Sequence, residues 1–171
     1  MNYFLLIALL LAQTSIFAQE NLRFRATIDA AKGFGKKIDG NPQTVGNGVT
    51  TITAGVVLRG ISLSVGSGIF KMDGTKNNDH YIPVFGELSY LVEREEIAPF
   101  FGVRIGKMFP QKEVNNPYPA LNKQTMMYNP SIGVAIDLGP LYLLPYLQYF
   151  VPADFDSRYD TFGVGIRVMT R

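Results

Sequence analysis

From residue 22 onward, apolar residues recur at every second position in eight short stretches, and the charges within those stretches keep to the other parity. Side chains of a β-strand alternate between two faces, so such a pattern predicts strands with one apolar and one mixed face. The stretches are residues 22–30, 50–59, 61–69, 82–90, 98–105, 131–138, 141–149 and 161–168. In the first, Leu22, Phe24, Ala26, Ile28 and Ala30 share one parity, and Arg23, Arg25, Thr27 and Asp29 share the other. The last sets Phe162, Val164, Ile166 and Val168 against Thr161, Gly163, Gly165 and Arg167. Only residues 141–149 blur the pattern, because of their second set, Tyr142, Leu144, Tyr146 and Gln148, only Gln148 is plainly polar.

Arg23, Arg25, Asp29, Arg59, Glu87, Arg104, Asp137 and Arg167 all fall on the less apolar face. With either face open to each charge, that outcome has odds of about one in 250. A water-soluble barrel points apolar groups inward and scatters charge outside. Here the charge-free face is the apolar one, which suits a barrel surrounded by lipid. After residue 19 no apolar run approaches the roughly 20 residues of a membrane-spanning helix. A sheet in hydrocarbon must close, since an open edge would leave backbone groups unpaired. The expected fold is therefore all-β: an eight-stranded, antiparallel, up-and-down transmembrane barrel.

The connections alternate in length. Long ones carry Lys36, Asp39, Gly40 and Asn41, then residues 71–81, then Asn115, Asn116, Pro117 and Pro119, then residues 151–160. Short ones are Arg59-Gly60, Glu93-Arg94-Glu95-Glu96 and Gly139-Pro140. Outer-membrane barrels have short periplasmic turns and longer external loops, so this order puts both termini on the periplasmic side. Residues 1–18 read MNYFLLIALLLAQTSIFA, an apolar run too short to span, ending at Ala18 before Gln19 and Glu20. They are expected to be a cleaved signal peptide, although no Lys or Arg precedes the run, leaving residues 19–171 as the barrel domain. With no cysteine, the chain has neither disulfides nor thiolate metal ligands, and its net charge of +2 gives no reason to expect a nucleic-acid partner.

Residues 81–90, YIPVFGELSY, a charged turn, and residues 98–106, APFFGVRIG, resemble a hairpin of small outer-membrane β-barrel proteins of Bacteroidota. Related eight-stranded barrels include the OmpX, OmpW and opacity-type proteins. The resemblance implies an outer-membrane location and a closed or narrow lumen, without one common activity. The chain departs from many such barrels by ending Val168-Met169-Thr170-Arg171 rather than in an aromatic residue.

The eight charges form the candidate lumen network. An eight-stranded barrel is only wide enough to be filled by side chains, and buried charges need partners, so an ion-paired plug is expected. Glu87 and Arg104 lie at nearly equal distances from one short turn and are the expected pair. Glycines at 66, 68, 102, 133, 163 and 165 share the inward parity and would leave room for large lumen side chains such as arginine. The corresponding role is that of a structural or surface-interaction protein, with outer-membrane lipid around it and a ligand or protein partner at its long loops. An alternative is a narrow porin-like channel favouring anions, because five arginines face three acids. A third is a lipid-modifying enzyme using His80, the single histidine, beside Asp79. A solvated loop histidine needs less special geometry, so no catalytic, metal or cofactor site is expected. Tyr90, Phe109, Tyr128, Tyr149 and Phe162 could mark the membrane interfaces or be ordinary strand aromatics.

Overall fold

The computed structural model describes residues 22–37, 44–73, 80–92, 96–111, 124–152 and 160–171. The expected signal peptide, Asp79, and most of the long connections lie outside them. Eight strands run in chain order: β1 (Arg23–Lys37), β2 (Thr44–Leu58), β3 (Ile61–Asp73), β4 (His80–Leu91), β5 (Ile97–Pro110), β6 (Thr125–Asp137), β7 (Leu141–Phe150) and β8 (Thr161–Thr170). Each pairs antiparallel with its neighbours in sequence, and β1 pairs with β8 to close the barrel. Closure removes both sheet edges, as hydrocarbon surroundings demand.

Several strands run past the alternating stretches on the side of the long connections. β1 continues from residue 30 to Lys37 and β2 starts at Thr44, with Lys32 opposite Gly48 and Gly33 opposite Asn47. β6 begins at Thr125, although Pro130 lies inside it. These extensions escape the alternation because backbone pairing by itself needs no apolar face. Proline interrupts the ladder locally instead of ending it. Bridges between β3 and β4 stop at Ser67↔Val84 and resume at Phe70↔Tyr81 around Pro83, with the register unchanged. Those between β6 and β7 skip Pro145 in the same way. A missing N–H costs a ladder bond but leaves the strand extended.

The outer wall is apolar. Phe24, Ile52, Leu63, Val65, Ile105, Ile132, Val164 and Ile166 stand exposed along it. Arg25, Asp29, Glu87, Arg104 and Arg167 are buried within. β7 resolves its blurred pattern by register: Tyr142, Leu144, Tyr146, Gln148 and Phe150 are buried, and Leu141, Pro145, Leu147 and Tyr149 are exposed.

The turn between β2 and β3 corrects one expectation. Arg59 and Gly60 have φ of 52° and 84°. Both central residues are thus left-handed, as in the type I′ turn whose twist matches paired strands. Arg59 is exposed there and does not enter the lumen. The chain must reverse direction within two residues, and that takes Arg59 off the strand's alternation.

Candidate functional site

The lumen is filled in three layers. On the side of the long connections, Val49, Phe70, Met72, Tyr81, Phe85, Met108, Met127 and Phe150 form an apolar cluster. Phe70 stacks on Phe150 with ring centroids 4.9 Å apart. On the side of the short turns, Leu91, Ala98, Phe100, Ala135, Tyr142, Leu144 and Met169 form a second. Between them lies a belt of four charges.

Register assembles the belt. Glu87 on β4 is directly opposite Arg104 on β5, and Asp29 on β1 is directly opposite Arg167 on β8. The two pairs meet across the lumen. Arg104 donates from Nε to Glu87 and from Nη2 to Asp29, and its Nη1 reaches Asp29 Oδ1 at 3.3 Å. Arg167 donates from Nη1 to Glu87 Oε1 at 2.9 Å and from Nη2 to Glu87 Oε2 at 3.0 Å. Its Nε lies 3.6 Å from Asp29 Oδ2. Each carboxylate therefore touches both guanidiniums, and the quartet is formally neutral. Thr51 donates to Asp29 Oδ2 at 2.9 Å, and the Tyr146 hydroxyl donates to Oδ1 at 3.2 Å. With both guanidiniums and these two hydroxyls, Asp29 has the multiple partners a buried charge requires.

Aromatic rings support the arginines. The Arg104 guanidinium lies 4.9 Å from the Phe85 ring centre, and that of Arg167 lies 4.8 Å from Phe100 and 5.3 Å from Tyr146. Inward glycines make room for the rings rather than for arginines. Phe85 has Gly66 and Gly106 directly opposite on its two neighbouring strands. Tyr146 likewise has Gly133 and Gly165. A Cβ at Gly66 would press on the Phe85 ring, and one at Gly165 on the Tyr146 ring. This arrangement fits the expectation that inward glycines leave room for large lumen side chains, and the side chains they accommodate are the two rings.

Of the eight candidate charges, Asp29, Glu87, Arg104 and Arg167 come together. Arg25 points inward nearer the turn side, where its Nε donates to the Thr170 carbonyl at 3.3 Å. Arg23 is half-buried at the start of β1. Asp137 sits at the turn-side rim, 3.3 Å from Arg171 Nη1, and accepts the Gly139 N–H at 2.7 Å. Asp137 therefore braces the β6–β7 turn and does not join the belt. Tyr146, Thr51, Phe85 and Phe100 are the belt partners that charge patterning misses. The glycines flanking Phe85 and Tyr146 in register were their available signal.

His80 opens β4 on the exposed outer wall, directly opposite Lys71. Among the described residues, no group of three or more His, Cys, Asp or Glu side chains is arranged to hold a metal.

No family model matches the chain, and neither does any curated protein. A search of solved structures finds the crystal structure of Neisserial surface protein A, NspA, with a TM-score of 0.64 and 13% identity. The alignment covers 88% of this chain and 99% of that one. The chain shares the fold of NspA. At that identity the likeness is one of architecture: a closed, eight-stranded, all-β barrel, reached with few residues in common.

Proposed function

We propose that the chain is an integral outer-membrane barrel, exported by a cleaved signal peptide, whose sealed lumen makes it a rigid, non-conducting mount for surface-exposed loops. The observation that carries this reading is the layered lumen, a neutral ionic belt with an apolar cluster on either side. Water and ions crossing it would have to displace both apolar layers and break a buried, mutually ion-paired quartet. The apolar outer wall, the alternating connection lengths and the likeness to NspA support the membrane location. The hairpin at residues 81–106 supports membership among Bacteroidota barrels. Ligand or protein recognition falls to the long connections on this reading, because below the loop-side rim the strands present hydrocarbon-facing rows outside and packed side chains inside.

The porin-like alternative gains little from the belt, where two acids match two arginines. The exposed setting of His80 on the outer wall, opposite a lysine, supports a non-enzymatic role. Two measurements test the proposal. Membrane fractionation should require detergent for extraction, and release by salt alone would overturn the membrane reading. Purified barrel in planar bilayers should give no steady conductance, and sustained channel currents would overturn the sealed lumen.

A further inference from the structure

The outer wall is not wholly uncharged. Among strand residues whose side chains are described, its outward rows carry four ionisable groups of Lys, Arg, His, Asp or Glu type: Lys32, Lys71, His80 and Lys107, while Asp160, just ahead of β8, continues that strand's outward parity. All four are basic residue types, and all stand toward the long connections. They are confined to β1, β3, β4 and β5. Outward positions toward the long connections on β6, β7 and β8 include Tyr128, Tyr149 and Phe162, and the direct partners of Lys107 and Lys32 on β6 and β8 are Met126 and Val164.

Their height on the barrel is consistent. Ile61 to Lys71, Tyr90 to His80, and Ile97 to Lys107 each span ten residue steps from the turn side. At about 3.3 Å per residue and a tilt of about 40°, ten steps climb about 25 Å, the height of the apolar band of such barrels. The basic groups thus mark the upper edge of that band, and Phe34 and Phe109 lie just beyond two of them.

Their lateral spacing is also constrained. Lys32, Gly48, Lys71 and His80 occupy one hydrogen-bonded row across β1 to β4. Lys71 and His80 are direct partners, and Lys32 stands two strands away, about 10 Å, across Gly48. A Cβ at Gly48 would meet nothing within 4 Å among the described residues, so packing does not demand glycine there. The result is a notch flanked by two ammonium groups and an imidazole. Asp160, an acid on the same rim, accepts a hydrogen bond from Tyr149 on the β7–β8 side.

We propose that this notch binds the phosphate headgroup of a membrane lipid in the outer leaflet, with its acyl chains lying along the apolar rows below. The inference rests on the membrane-barrel reading. Lysines at a membrane edge can snorkel to water individually, but generic snorkelling gives no reason for their confinement to one side of the barrel around an unfilled glycine. Phosphate fits because several convergent N–H donors can share its oxygens, and lysine binds it as a point charge.

The test uses the full barrel in phosphatidylcholine nanodiscs doped with phosphatidic acid, a phosphate-monoester lipid, with retention counted by native mass spectrometry. Diacylglycerol replaces it in a second arm, and soluble inorganic phosphate competes in a third. Wild-type barrel should retain phosphatidic acid over diacylglycerol. K32Q/K71Q/K107Q should weaken that retention on the order of a hundredfold, and K71Q/H80Q on the order of tenfold, given about 1 kcal/mol per basic side chain at a charged surface. R59Q, on the turn side, should leave it unchanged. A heat-shift gel confirms that each variant is folded. Equal retention by wild type and both variants would overturn the site, as would equal retention of the two lipids. Displacement by inorganic phosphate at matching concentration would overturn the lipid assignment in favour of a soluble anion. Failure of the wild-type barrel to enter nanodiscs would instead overturn the membrane reading itself.

Discussion

At the scale of single residues, the belt couples its members so tightly that pairs matter more than individuals. Glu87→Gln leaves Arg104 and Arg167 buried at 3% and 1% exposure with half their counter-charge gone. Stranding a buried charge costs about 3–5 kcal/mol, whereas replacing both partners by apolar groups of similar volume costs less. A double-mutant cycle of Glu87→Gln and Arg104→Met should therefore be strongly non-additive, with the double variant more stable than the two single losses summed. Urea unfolding in lipid vesicles measures it, and additive losses would show that the quartet is not coupled. The Glu87–Arg104 pair was readable in the sequence because a short turn puts the two at matching distances. The engagement of that pair by Asp29 and Arg167 was not. It depends on β1 meeting β8 and on side chains crossing the lumen, and both are consequences of closure.

Elements show where local chemistry and alternation compete. Arg59 has the parity of a lumen residue, yet the type I′ turn claims it. Replacing Arg59 with Asn, which tolerates positive φ, should raise stability by about 0.5 kcal/mol. Loss of stability on that change would instead argue for a buried role. Gly60→Ala should cost roughly 1–2 kcal/mol from its left-handed backbone alone. An added Cβ would also press on the carbonyl of Leu91, the residue whose N–H donates to Gly60 O at 2.9 Å. Thermal unfolding of the two variants should therefore move in opposite directions. Gly165→Val tests the ring-and-glycine device between β7 and β8. It should push Tyr146 off Asp29, lower stability and change the near-ultraviolet circular dichroism of the buried tyrosine, whereas an unchanged spectrum would mean that the ring does not depend on that glycine. The alternation located each strand, but not its end beyond the apolar band, where Lys32, Asn47 and Met126 stay paired without following an apolar pattern.

Across the whole molecule, two independent apolar layers close the lumen. Truncating Phe70 and Phe150 to Ala removes the stacked rings of the loop-side layer but leaves the belt and the turn-side layer in place. Planar-bilayer recordings of that variant should still show no steady conductance, and a stable open level would mean that this layer alone seals the barrel.

The eight-stranded inside-out barrel was legible in the chain itself, because an apolar outer wall around a charged interior imposes a period-two segregation that each strand must satisfy locally. The sequence likewise determined which face of most strands turns inward; β7 was settled by register, and the turn residue Arg59 is the exception. Tertiary structure alone decided which inward charges become neighbours. It gathered Asp29, Glu87, Arg104 and Arg167 at one level, and left Asp137 to a rim and Arg59 to a turn. Parity is a property of a strand, but level and partnership follow from register, tilt and closure, which are set by all eight strands together.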